Sequence, residues 1–458
     1  MRVFYLLVIA CYVCLLLAVS LFVTRRSRSS EAYLVASRSL SVPLIAVLVG
    51  GTWTGGVSVV GMAQGAYLQG LSALWFQAGI WVAMFVTAFL LPRILTEGKT
   101  YSILDVVAGL YGRRTSRLAG LLQLAFSIWI VTMQVVGGGA VLSFILGDYL
   151  SFNGGMCLTA LVFTLYNMMG GLAATAYTNL IHLAAIIIGI FLGGFFAIFS
   201  SRGFGYMVHH GPYFTPFGDA GVVQAVNFFY VNFTLGVLAQ PVINAASSAA
   251  SMKEGRAGIV AGNLITIPIV VMAALCGIVA KFRFPHIPSL SALPALLAIV
   301  PPSIGAFLLL AMWAPLMSAG SPFLMGATTL AVKGYIAPLL RGGDDRRLLL
   351  ASRLTTLAIG FVALLLGCLV KEILKETTWL AVFLSAIVYI VFFGWMGRRV
   401  SSGWAFFSLL GTLVVVPLSL ATGLHKVVHP VWPATALVFL LMGIGMAASR
   451  PGRSVEVT

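Results

Sequence analysis

The chain has 458 residues, of which 60% are hydrophobic and 8% charged, against about 25% charged in soluble domains. With a mean hydropathy of +1.05, this composition excludes a soluble enzyme, a disordered chain and a secreted disulfide scaffold, and predicts an all-α polytopic membrane protein. The net charge of +16 reads as membrane topology rather than nucleic-acid binding, because of where the cations fall.

A membrane-spanning helix needs about 20 mainly apolar residues. Runs of that kind lie at about 3–23, 41–67, 72–92, 117–147, 153–171, 176–200, 222–249, 257–280, 303–334, 347–370, 377–396, 402–423 and 430–449, which makes about thirteen spans. The first has a single flanking cation, Arg2, and no small-residue cleavage site. It therefore reads as a retained span, not a signal peptide. Arg25, Arg26 and Arg28 follow it, which predicts an external N-terminus and, with an odd number of spans, a cytoplasmic C-terminus in the plasma membrane. On that arrangement Arg2, Arg202, Lys281, Arg283, Lys371, Lys375 and Lys426 lie outside, and the other 20 of the 27 Lys and Arg lie inside, the expected positive-inside bias.

The 11 acidic residues all fall outside the mid-membrane region, which argues against a carboxylate proton relay. His182 is the one ionisable residue placed at membrane depth, and it reads as a hydrogen-bonded histidine at a helix interface. Cys11, Cys14, Cys157, Cys276 and Cys368 sit inside apolar runs and read as small buried hydrophobes, not as ligands or disulfides. The polar stretch 100–117 reads as a loop with a short surface helix, which Asp105 caps.

Two spans carry interruptions. The second contains Gly50-Gly51-Thr52-Trp53-Thr54-Gly55-Gly56-Val57-Ser58, and the seventh contains Asn232-Phe233-Thr234-Leu235-Gly236 followed by Gln240-Pro241. They stand five spans apart, and matching broken helices in two halves of a chain point to a transporter's binding site. Unwound backbone at that depth needs protein or water to satisfy it. The ninth span adds Ser318, Ser321, Thr328 and Thr329 behind Pro315, and the fourth adds Gln134 ahead of three glycines.

Further motifs run in order along the chain: Glu31-Ala32-Tyr33-Leu34, Ser37-Arg38-Ser39-Leu40, Gly65-Ala66-Tyr67, Gly170-Gly171-Leu172 before Tyr177-Thr178-Asn179, and Pro338-Leu339. Together with the glycines of the second span they make the chain similar to the sodium/solute symporter family, which includes sodium-coupled glucose, proline and pantothenate carriers. The resemblance implies a leucine-transporter-like core of two inverted five-helix repeats. These would be residues 41–200 and 222–396, with 3–23 leading and 402–449 appended, in one transporter domain covering 1–458. It also implies sodium as the coupling ion, held by the carbonyls of Gly51, Thr54 and Pro315 and the hydroxyl of Ser318. The sequence departs from the family pattern at Ala319, where a second hydroxyl is usual, at Pro315, at Asn179 in place of a frequent Asp, and at Ala245-Ala246.

Thr52, Thr54, Ser58 and Gln64, facing Gln134, Asn227, Tyr230 and Gln240, are the expected substrate cavity, with Trp379, Ser385 and Tyr389 closing it. No Lys or Arg lies at that depth, so a small neutral or monocarboxylate solute fits best. The expected function is sodium-coupled symport by alternating access. The alternatives are a sodium-independent carrier or a transporter-derived sensor. The sequence offers no catalytic constellation and no sign of an obligatory protein partner, so the expected partners are solute, sodium and the lipid bilayer.

Overall fold

The computed structural model describes residues 2–24, 29–95, 101–147, 149–201, 205, 212–218, 221–340, 344–369, 373–396 and 400–448. Where the solvent offers no hydrogen bonds, an apolar run satisfies its backbone by coiling. The main helices are α1 (Arg2–Thr24), α2 (Ser30–Val35), α3 (Val42–Trp53), α4 (Met62–Gln69), α5 (Trp75–Ile94), α6 (Ile103–Leu146), α7 (Phe152–Ser200) and α8 (Gly221–Gly236). They continue as α9 (Gln240–Ser247), α10 (Met252–Arg283), α11 (Pro302–Ala331), α12 (Asp345–Gly367), α13 (Ile373–Trp395), α14 (Ser402–Ala421) and α15 (Val431–Ala448).

Among the described residues, ten helical stretches are long and apolar enough to cross a membrane, so thirteen does not reappear as a helix count. Some helices break and others fuse. α3 has only 12 residues and falls short of a crossing by itself. α7 has 49, about 70 Å at 1.5 Å per residue, more than twice the hydrocarbon thickness of about 30 Å. It turns back at Gly171, where φ is +60°. A side chain there would strike the Tyr33 carbonyl, so the turn requires glycine for its conformation and for its room. The expected spans 153–171 and 176–200 are thus joined without a loop.

α6 begins at Ile103 and bends at Gly112, so the stretch expected as a loop continues directly into the fourth span. Asp105 has the expected capping role. Its Oδ2 accepts the N–H groups of Tyr101 (2.7 Å) and Ser102 (2.9 Å). The outer stretch after α10 forms short helical turns over Ser289–Ala298, and Ser289 meets Gln64 of α4.

α11 is the centre of the fold. Its most apolar window is 78% buried, against 28% for α1, α12 and α15. Cys276 is buried as expected, but Cys11, Cys14, Cys157 and Cys368 are exposed. In a membrane chain the outer surface is apolar too, so an apolar run does not tell the core from the lipid-facing side.

His182 is fully buried and bonded at both ring nitrogens, Nδ1 to the Tyr12 hydroxyl and Nε2 to the Tyr166 hydroxyl (3.2 Å). Tyr166 is bonded in turn to Ser321, whose Oγ donates to the Met317 carbonyl (2.8 Å). The Tyr166 hydroxyl also reaches the Met317 carbonyl (3.4 Å), so the cluster ties α1, through Tyr12, to α7 and α11.

Candidate functional site at the broken helices

Both expected interruptions are breaks. α3 ends at Trp53, two non-helical residues follow, and a π-helical turn over Val57–Gly61 leads into α4. The Gly56 N–H turns to Gln134 Oε1 (3.2 Å) instead of the Thr52 carbonyl four residues back. The Ser58 N–H bonds the Gly55 carbonyl (3.0 Å), which leaves the Thr54 carbonyl without its helical donor. The Trp53 carbonyl accepts from Gln77 Nε2 (3.3 Å), and Gln77 Oε1 accepts from Ser58 Oγ (3.0 Å). α8 and α9 are separated by Val237–Ala239, where Leu238 takes a φ of +62°, a strained conformation for a residue with a side chain.

α11 packs against the first break. A Cβ on Gly51 would lie 2.5 Å from both Ser318 Oγ and Asn179 Nδ2, and one on Gly55 would lie 2.6 Å from the Ala319 methyl and 3.8 Å from the Pro315 carbonyl. Gly51, Gly55, Pro315, Ser318, Ala319 and Asn179 therefore meet at one point. Pro322 has no N–H for the Ser318 carbonyl four residues before it. Asn179 Nδ2 supplies the missing donor (3.2 Å). Ser318 Oγ and Asn179 Oδ1 are buried and bond no protein group.

The remaining expected residues divide. Thr52 and Ser58 lie at the break with Gln134, although the Thr52 hydroxyl donates to its own helix at Leu48 (2.7 Å) and that of Thr54 to Gly50 (2.8 Å). Gln64 faces Ser289 (3.2 Å). Asn227, Tyr230 and Tyr389 form a separate group with α15. Asn227 Oδ1 accepts from Trp432 Nε1 (2.7 Å), Tyr230 stacks on Trp432 and donates to Thr435, and Tyr389 bonds Tyr230. Ser385 donates to Val382 within its own helix. The Trp379 side chain lies outside the described residues.

Gln240 is not at the break in α3. Its Oε1 accepts the Ile103 N–H (3.0 Å), and its Nε2 donates to the Tyr101 carbonyl (3.3 Å) and to Asn244 (2.6 Å), so it ties α9 to the start of α6. Near it, Leu40 pairs with Ser248 and Ala250 through backbone bonds. The Tyr101 ring lies between Arg38 (4.8 Å) and Lys333 (4.2 Å). Gln77 is the residue that sequence reasoning missed. As an uncharged amide in mid-span it carried the same signal as Gln134.

A hydroxyl and an amide oxygen without partners, beside broken backbone in a membrane, are donors suited to a small cation and not to covalent chemistry. The sodium:solute symporter family profile matches residues 33–411. The chain belongs to that family. Over 77% of its length it is 23% identical to the high-affinity proline transporter PutP of Bacillus subtilis, covering 78% of that protein. It is 26% identical to the human high affinity choline transporter 1 over 37% of its length, but spans only 29% of that relative. The solved structure of a Na+-coupled sialic acid symporter superposes with a TM-score of 0.86 at 16% identity, covering 98% of this chain and 99% of that one. The fold is therefore leucine-transporter-like, and the chain is a multi-pass membrane transporter, not an enzyme. Its class of activity is secondary active symport.

Proposed function

We propose that the protein moves a small neutral or monocarboxylate solute together with sodium by alternating access. The pair of partnerless oxygens, Ser318 Oγ and Asn179 Oδ1, carries this reading. A buried polar atom without a bond costs about 1–3 kcal/mol, and a cation between α3 and α11 removes that cost for both. The carbonyls of Gly51, Thr54 and Pro315 and the hydroxyl of Ser318 are the proposed ligands, with Asn179 beside them. Such a site needs no carboxylate, in keeping with a hard cation held by oxygens. The Ala319 methyl offers no oxygen, so the affinity is expected to be modest.

The proposed solute site is the other face of the break, where Thr52, Ser58, Gln134 and the newly recognised Gln77 supply amides and hydroxyls. Among the described residues no Lys or Arg is buried, which disfavours polyanions. Gln64, Asn227, Tyr230, Gln240 and Tyr389 hold helices together in this arrangement and reach a solute only when those contacts open. Residues 41–200 and 222–396 are the proposed inverted repeats, in a plasma-membrane protein with an external N-terminus and a cytoplasmic C-terminus.

Sodium binding to the folded state raises apparent stability by mass action. The purified protein is expected to unfold at a higher temperature in sodium than in potassium at equal ionic strength. Ser318→Ala should lose most of that rise, and Ala319→Ser should enlarge it. The missing hydroxyl at Ala319 favours a second reading, a carrier that works without sodium. The absence of any sodium-specific rise would establish that reading instead.

A further inference from the structure

α10 and α5 share a joint built around a proline. Pro92, inside α5, has no N–H for the Ala88 carbonyl. Arg256 of α10 supplies the donor, Nε to Ala88 (3.0 Å) and Nη2 to Phe89 (3.1 Å). The guanidinium is thereby fixed at the surface while the side chain stays exposed. Lys253 is exposed one turn before it, at the start of α10, and Arg93 is exposed one turn beyond Phe89 in α5.

From Lys253 and Arg256 an open lateral recess of about 750 Å³, lined by α10 alone, runs past Ala257, Val260, Ala261 and Leu264. Ala257 and Ala261 are four residues apart and so share a face, and their small side chains leave the groove room. From Lys253 to Leu264 the helix rises about 16 Å. That is close to the depth of one leaflet, half of a hydrocarbon core of about 30 Å.

We infer that this groove binds one anionic phospholipid, its headgroup on Lys253, Arg256 and Arg93 and an acyl chain along Ala257 to Leu264. Three features select that occupant. The cationic cluster lies at one end only, the groove beyond it is apolar, and its length matches a single leaflet. Basic side chains at the end of a spanning helix suit anionic headgroups, and the positive N-terminal end of α10 adds to the attraction. A second protein copy would require no cluster at one end and no leaflet-length groove.

The test adds phosphatidylglycerol or phosphatidylcholine, at equal mole fraction, to the purified full-length protein in detergent and follows thermal unfolding. Phosphatidylglycerol should raise the unfolding temperature more than phosphatidylcholine. That difference should fall by at least half in K253Q/R93Q and in Ala261→Trp, which fills the groove without touching a charge. It should persist in R346Q/R347Q, whose cations lie elsewhere. Arg256 is left in place because it also joins α10 to α5. An undiminished difference in K253Q/R93Q, or an equal loss in R346Q/R347Q, would overturn the assignment. So would light scattering showing a dimer that Ala261→Trp dissociates, since the face would then belong to a second copy.

Discussion

An imidazole bonded at both nitrogens cannot be replaced by a hydrocarbon without leaving the Tyr12 hydroxyl bare. His182→Leu should strand that hydroxyl in a dry interior, take one of its bonds from Tyr166, which keeps Ser321, and cost about 1–3 kcal/mol of stability, read as a lower unfolding temperature. His182→Gln, which keeps a donor and an acceptor, should recover part of the loss. Equal melting of the two variants would mean that the bonds carry no weight. Gly51 poses the opposite problem, an excess of atoms. A methyl at that position would lie 2.5 Å from Ser318 Oγ, so Gly51→Ala should abolish the sodium-dependent stabilisation even where the protein folds. Retention of the full sodium effect by Gly51→Ala would remove this part of α3 from the cation site.

Among the helices, one device recurs. A proline frees a carbonyl, and a side chain from another helix takes it up, as Asn179 does for Ser318 beside Pro322 and Arg256 does for Ala88 beside Pro92. The pairing predicts coupling. Asn179→Leu should destabilise the protein, and should do so less in a Pro322→Ala background, where the helix supplies its own N–H. A double-mutant cycle should return about 0.5–1.5 kcal/mol, and strict additivity would refute the compensation. The breaks in α3 and between α8 and α9 were legible in the sequence because glycines and a Gln-Pro step mark interrupted backbone directly. The boundary between the spans 153–171 and 176–200 was legible in Gly170-Gly171-Leu172, but that one positive-φ residue suffices there without a loop was not. Nor was the partnership of Gln240 with Ile103, since a mid-span amide does not announce which helix end it will reach. The cysteines misled for a related reason: apolar neighbours signify bilayer as readily as core.

At the scale of the whole molecule, the segment before α3 and the end of α9 meet in a junction. Leu40 pairs with Ser248 and Ala250, and Tyr101 is clasped by Arg38 and Lys333. Tyr101→Leu removes the ring and should favour opening toward the side that the charge bias assigns to the cytoplasm. With the five native cysteines replaced, a Ser247→Cys reporter should then react several-fold faster with a water-soluble thiol reagent. An unchanged rate would mean that Tyr101 does not latch this face. The cluster from Tyr12 through His182 and Tyr166 to Ser321 has a consequence for how the first helix is held. Its members come from α1, α7 and α11, so one group of buried hydrogen bonds fastens the leading helix to the centre of the fold. With both ring nitrogens engaged, the imidazole is a rivet between helices.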